Sequence, residues 1–141
     1  MLDLGAGDGA ITRHLVASGA RVVAFELHPE RAAALRDRFP ATRVVRADVT
    51  DLRLPRRPFV VVANPPFDGL SAVLARLTHR HSLLARADLV VPTSVAAKWA
   101  DRLVGTGWRL TVQRRLPRSA FHPAPRIDCC VARIEPAATR R

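Results

Sequence analysis

Apolar positions along this chain alternate between short continuous runs and stretches spaced at the helical period, and the alternation starts at the first residue. Residues 1–4 read as a short strand ending at the loop Gly5-Ala6-Gly7-Asp8-Gly9. A helix is expected over 10–18, with Ile11, His14 and Leu15 on one side, followed by a second strand over 21–26. Pro29 suits a first helical position, so a helix follows over 30–38 and stops at Phe39-Pro40. A third strand covers 43–46 and a fourth Phe59–Ala63. Leu70, Val73, Leu74 and Leu77 then recur at helical spacing, residues 87–91 form a fifth strand, and Thr93 can cap a helix carrying Val95, Trp99 and Leu103. Trp108–Leu116 and 127–134 read as an antiparallel pair around a proline-rich segment at 121–125. This order predicts an α/β domain over 1–135 with a doubly wound, mostly parallel sheet and its ligand at the carboxyl ends of the strands. Residues 136–141 read as a disordered basic tail.

Charge sharpens the reading. The 141 residues carry a formal net charge of +11, nearly all of it from arginine, and Lys98 is the only lysine. Residues 101–141 hold nine arginines against Asp101, Asp128 and Glu135. A basic field of this size favours polyanions, and nucleic acid is the first candidate; the plainer alternative is an arginine-rich composition that merely solvates helix faces. No cleavable leader is expected, and no apolar run comes near the ~18 residues of a membrane span, so the expected setting is the cytoplasm, as a monomer. The two cysteines, Cys129 and Cys130, are adjacent; on a strand they face opposite ways and cannot share a metal. His79 and His81 lack an acidic or cysteine partner nearby and read as a solvated loop. No metal site is expected.

The chemistry concentrates in Asn64-Pro65-Pro66-Phe67, directly after the fourth strand. It offers a side-chain amide, a backbone carbonyl with no competing N–H beside it, and a ring. Such a set can hold a planar amino group by its hydrogens while an aromatic face lies against it. The loop Gly5–Gly9 offers close backbone approach to a ligand. Gly5, Gly7 and Ala10 also satisfy a dinucleotide fingerprint, with Glu26 near the position of a ribose-binding acid. Glu26 fits either a nicotinamide dinucleotide or S-adenosylmethionine. Three details favour the methyl donor: the third glycine, Gly9; the negative charge of Asp3 and Asp8, which suits an ammonium and a sulfonium better than a pyrophosphate; and Asp48, placed to accept from an adenine amino group. Asp48 has a plainer reading as a cap or turn residue.

With these residues in place the chain resembles the rRNA adenine N6-methyltransferases, most closely the erythromycin-resistance (Erm) methylases of actinobacteria. The resemblance runs through 2–9, Phe25-Glu26-Leu27-His28-Pro29, Ala47-Asp48, Ala63–Phe67, and Phe121-His122-Pro123-Ala124-Pro125-Arg126-Ile127-Asp128. The last segment is similar to the family's Phe-x-Pro-x-Pro-x-Val motif. It separates this chain from glutamine-directed methyltransferases, which share only Asn-Pro-Pro-aromatic. The resemblance implies a Rossmann-like fold with a seven-stranded-type sheet, an antiparallel last strand and helices on both faces. It implies N6-methylation of an adenine in 23S rRNA, of the kind that confers macrolide resistance, with S-adenosylmethionine held by Asp3, Leu4, Gly5, Ala6, Gly7, Glu26, Leu27, Asp48, Val49 and Asn64. Asn64, Pro65, Phe67 and Phe121 are the expected catalytic set, and Arg114, Arg115, Arg118 and Arg126 are candidates for RNA phosphates. Relative to the family, the chain is expected to begin after a cofactor-covering amino-terminal segment and to end before a helical carboxyl-terminal domain. Alternative readings are a small-subunit rRNA adenine dimethyltransferase, a glutamine-directed protein methyltransferase and an inactive RNA-binding remnant. A dinucleotide oxidoreductase is a more distant expectation, since these 141 residues leave no room for the second substrate domain such an enzyme is expected to carry.

Overall fold

The computed structural model describes residues 1–137. In chain order the elements are β1 (Leu2–Leu4), α1 (Thr12–Ala17), β2 (Val23–Phe25), α2 (Pro29–Arg38), β3 (Arg43–Val45), β4 (Phe59–Ala63), α3 (Leu70–Leu77), β5 (Leu84–Pro92), α4 (Thr93–Arg102), β6 (Trp108–Leu116) and β7 (Cys129–Pro136), with 3₁₀ turns at Val49–Asp51 and Arg118–Ala120. The strands form one seven-stranded sheet in the order β3-β2-β1-β4-β5-β7-β6. β1 to β5 run parallel, and β7 inserts antiparallel between β5 and β6.

Helices cover both faces. On one, Ala24 packs with Ala6, Leu35 of α2, Phe39 and Val44. In the same register Asp3 lies beside Ala24 and meets Thr12 of α1. On the other face Leu2, Leu4, Val61 and Ala63 join Val73, Leu74 and Leu77 of α3 and Ala96 and Trp99 of α4 in the main core. Fully buried side chains such as Leu4, Leu74, Leu77 and Ile134 each stabilise the fold by ~1.5–3 kcal/mol relative to exposure. Both cysteines are buried in β7, where burial pushes their thiols above the ordinary range.

Several sequence expectations need correcting. α1 is only Thr12–Ala17, and its buried residue is Thr12, not the Ile11/His14/Leu15 side. Thr12, through its hydroxyl and backbone N–H, makes a buried Asp3 tolerable, so polarity and not apolar spacing orients this helix. Thr93 does not cap α4: β5 runs straight into it, Pro92 occupies the cap position, and the Thr93 hydroxyl is buried with the Cys130 thiol as its polar neighbour. β5 begins at Leu84, and β7 spans Cys129–Pro136, two residues later than expected at each end. Pro136 therefore belongs to the sheet and not to a tail, and the Ala137 N–H donates to the Gly107 carbonyl at 2.8 Å. The remainder of the expected tail lies outside the described residues.

No described helix is long and apolar enough to cross a membrane. Among the described residues no cluster of three or more histidine, cysteine or acidic side chains is placed to hold a metal ion; His79 and His81 merely stack at 5.4 Å between ring centroids.

Candidate active site

Chain order reverses between β1 and β4. β1 pairs with β2 on one side and β4 on the other, so the loops leaving β1 and β4 open onto one crevice at the strands' carboxyl ends. The loop after β1 is Gly5–Gly9 and the loop after β4 is Asn64–Phe67. Gly5 has φ +73°, and a Cβ built there would come within 2.8 Å of Pro66 Cδ. Only glycine allows both the left-handed backbone and this contact. The glycine loop and the Asn-Pro-Pro turn therefore brace one another. Gly7, also left-handed at φ +58°, faces open space: a Cβ there would meet only the Gly5 carbonyl, at 4.0 Å.

Glu26 clamps the loop. Its Oε2 accepts from the Gly7 N–H at 2.7 Å and its Oε1 from the His28 N–H at 2.8 Å, while the Gly5 and Ala6 N–H groups both donate to the Phe25 carbonyl. The carboxylate is 7% exposed, and each oxygen keeps a lone pair for a further donor.

Two cavities flank this framework. One of about 300 Å³ is lined by Glu26, Leu27, Arg31, Asp48, Val49 and Pro66. The other, about 400 Å³, is lined by Asp3, Asp8, Ile11, Val90, Leu116 and Phe121. Gly5, Gly7 and Asn64 border both. Asn64 thus stands where the cavities meet, with an exposed side chain, and Pro65 beside it is buried.

The carboxylates around the crevice differ. Asp3 is 1% exposed, and burial raises its pKa above the ordinary value. The Thr12 hydroxyl opposes that rise by donating at 2.7 Å, and the Glu26 charge adds to it. A desolvated carboxylate whose donors, the hydroxyl and backbone N–H of Thr12, are both neutral is suited to a cation. Asp48 is exposed, and Thr50 holds its pKa below the ordinary range by donating from both its hydroxyl and its N–H to Oδ1, at 2.7 and 2.8 Å. Asp48 is therefore the cap of the 3₁₀ turn and a cavity wall at once. Its Oδ2 has no partner among the described residues.

Not every expected residue reaches the crevice. Leu4 packs into the main core and lines neither cavity. Ala6 and Gly7 do border the second cavity, Ala6 while also packing on Ala24. Phe121 shares that cavity with Asn64, whereas Phe67 is 39% exposed and lines neither. Arg114, Arg115, Arg118 and Arg126 are all exposed, and Arg118 is tied to Asp128 at 3.1 Å across the base of the Phe121 loop. Sequence reasoning missed Thr12, Arg31 and Val90. A polar residue opening a helix opposite Asp3 was the only available hint of Thr12, and the other two become neighbours of the site only through the folding of the sheet.

The chain matches the family model described as "Methyltransferase domain" over residues 1–85. It is 35% identical to the mycinamicin-resistance protein MyrB of Micromonospora griseorubida, over 96% of this chain and 46% of that protein. It is 31% identical to a ribosomal RNA small subunit methyltransferase A of Synechococcus, over 96% of this chain and 55% of that protein. The crystal structure of the 23S rRNA methyltransferase ErmE superposes with a TM-score of 0.85 at 25% identity, covering 97% of this chain and 61% of that one. The chain spans about half the length of the curated relatives it matches. Since the family model takes in more than half of the sequence and its matched region contains the glycine loop, Glu26, Asp48 and the Asn64–Phe67 turn, the chain belongs to the methyltransferase-domain family.

Proposed function

We propose that this chain methylates the N6 amino group of an adenine in large-subunit rRNA, with S-adenosylmethionine as donor. The observation that carries the reading is Asn64 at the junction of two cavities, one walled by carboxylates suited to an adenosyl group, the other containing an aromatic ring. The residues present fit such a donor. Glu26 has acceptor capacity left for ribose hydroxyls, Asp48 Oδ2 for an adenine amino group, and the desolvated Asp3 for an ammonium, while the open space before Gly7 admits a ligand against the backbone. When bound, S-adenosylmethionine supplies an electrophilic methyl on a sulfonium sulfur.

The chain's own residues solve a different problem. The N6 lone pair of adenine is delocalised into the ring, so the amine is a weak nucleophile. The Asn64 amide oxygen and the Pro65 carbonyl accept its two hydrogens, which favours a pyramidal nitrogen with its lone pair turned toward the donor cavity. Phe121 packs on the base, and Phe67, on the exposed side of the same turn, closes on it when RNA is present. Stacking on an aromatic side chain is worth ~1–3 kcal/mol per base, comparable with the cost of taking a nucleotide out of its stack. Positioning carries the catalysis. No general base is needed, because the methylated ammonium is acidic enough to release its proton to water.

Macrolide resistance follows as the expected consequence, supported by the mycinamicin-resistance relative and the 23S-methylating structural neighbour. Incubation with labelled S-adenosylmethionine and unmodified 23S rRNA should place label on adenine and create a reverse-transcription stop. The small-subunit reading is favoured by the Synechococcus relative, and label on 16S rRNA alone would establish it instead.

A further inference from the structure

The crevice is not the sole concave surface among the described residues. A groove of about 880 Å³ runs along β1 to β4 from their amino ends, at Arg21, Arg43 and Phe59, as far as Phe25 and Val45, the last residues of β2 and β3. Its floor includes Leu2, Val23, Phe25, Val45 and Phe59. Its cause is local. After β3 the chain makes only the 3₁₀ turn Val49–Asp51 and then runs without regular structure to β4, held extended by Pro55 and Pro58. Helices α3 and α4 cover the middle of this face, and among the described residues no helix covers β2 and β3 on it, so Val23 and Phe25 stay only partly buried.

The rim carries Arg21, Arg43, Arg53 and Arg57, all exposed. No acidic side chain lines the groove, and among the described residues none of the four arginines makes an ion pair. Five arginines elsewhere, Arg76, Arg86, Arg109, Arg118 and Arg133, each meet a carboxylate within 3.1 Å, while the other arginines outside the groove make no ion pair among the described residues. What sets the groove's four apart is that they share one rim with no acidic side chain. The basic surface continues past the same segment into a second hollow of about 660 Å³, which shares Arg53 and adds Arg56, His79 and His81.

We propose that this groove is a second RNA-contacting surface, separate from the methylation crevice and sharing no lining residue with it, that holds a single-stranded segment of the substrate. The proposal rests on the rRNA reading above only for the identity of the polyanion. Four uncompensated guanidinium groups around an apolar floor match a strand whose phosphates meet the rim and whose unpaired bases cover the floor; a duplex offers its phosphates and leaves such a floor wet. The groove is within reach of the same molecule. β2 links the two ends, and from Arg21 to Glu26 the strand rises roughly 17 Å at ~3.3 Å per residue, less than the width of one RNA helix with its flanking strand. Anchoring here orients the RNA without touching the reacting adenine.

The test uses the 141-residue chain with Arg21, Arg43, Arg53 and Arg57 all changed to glutamine, alongside the milder pair Arg43→Gln/Arg57→Gln, each checked for an unchanged melting transition. Binding of a fluorescent oligouridine and of a blunt RNA duplex is titrated against salt, with no methyl transfer required. For the single strand the slope of log K against log salt should fall by about 0.7 per arginine removed, close to 3 for the quadruple variant and 1.4 for the pair. The duplex slope should change by less than one, and S-adenosylmethionine affinity should stay as in the parent. An unchanged single-strand slope, an equal change for the duplex, or a parent dimer that the variants dissolve in sedimentation (a second copy occupying the groove) would each overturn the proposal. Failure to methylate 23S rRNA would refute the function proposed above and leave this binding result standing.

Discussion

Gly5→Ala tests whether the two halves of the crevice are mechanically joined. Two costs add at this position. Gly5 sits at φ +73°, where a residue with a Cβ is strained by ~1–2 kcal/mol. The new methyl would also stand 2.8 Å from Pro66 Cδ, a ring atom that cannot swing aside, whereas its next contacts, Pro65 Cα at 3.6 Å and Pro66 N at 3.8 Å, are ordinary. Overpacking of this kind costs ~1–3 kcal/mol. The sum, ~2–5 kcal/mol, is a large share of the ~5–15 kcal/mol that holds a domain together. Gly7→Ala is the control, because it has the same left-handed strain at φ +58° but only open space around the added methyl. Urea denaturation should therefore show Gly5→Ala less stable than Gly7→Ala by about 1–3 kcal/mol, the overpacking cost alone. Replacing Pro66 with alanine removes Cδ and should recover that difference, so the cycle Gly5→Ala, Pro66→Ala and the double variant should give a coupling energy of ~1–3 kcal/mol. A coupling indistinguishable from zero, or equal destabilisation by the two glycine variants, would refute the idea that the glycine loop is braced on the Asn-Pro-Pro turn.

The remaining predictions concern the site's charges and its ends. Asp3 has a raised pKa in the folded state, so its favourable contribution is complete below the unfolded value of ~3.9 and is lost as pH rises through the folded value. Asp3→Asn should accordingly raise the melting temperature at pH 7 and flatten its pH dependence above pH 4. It should also weaken S-adenosylmethionine binding in calorimetry roughly 10- to 100-fold, the value of a charge-assisted hydrogen bond. Asn64→Ala should lower kcat ~10²–10³-fold, as loss of one preorganised hydrogen-bonding group typically does, with a much smaller change in cofactor affinity. Phe121→Ala should reduce kcat/KM for RNA ~5- to 100-fold through lost stacking, measured by methyl transfer to 23S rRNA. Asp88 joins β5 to β7 by accepting from Arg133 Nε at 2.7 Å and Nη2 at 3.3 Å, and it also pairs with Arg86 at 3.1 Å. Asp88→Asn should destabilise the chain by ~1–2 kcal/mol in urea, and salt should narrow the gap between variant and parent.

Much of this molecule could be read from local pattern. The run Phe59–Ala63 is β4 to the residue, Pro29 does open α2, and Leu70, Val73, Leu74 and Leu77 are the buried side of α3. These features depend on the chain's own neighbours: a proline fixes φ, and an apolar spacing selects a face. The glycine loop and the Asn64–Phe67 turn were equally visible because each is a continuous segment whose chemistry is carried by its own residues.

What the chain order could not reveal is which segments meet. Placing β1 beside β4 brings Gly5 against Pro66 and sets Asn64 between two cavities. The same packing turns Thr12 toward Asp3, separates Phe121 from Phe67 in their access to the crevice, and leaves four arginines around an uncovered floor. Each of these is a through-space relation between residues distant in the chain, decided by strand order and by which helix is missing from a face. Local sequence supplied the chemical groups. The sheet's reversal between β1 and β4 decided that they form a site.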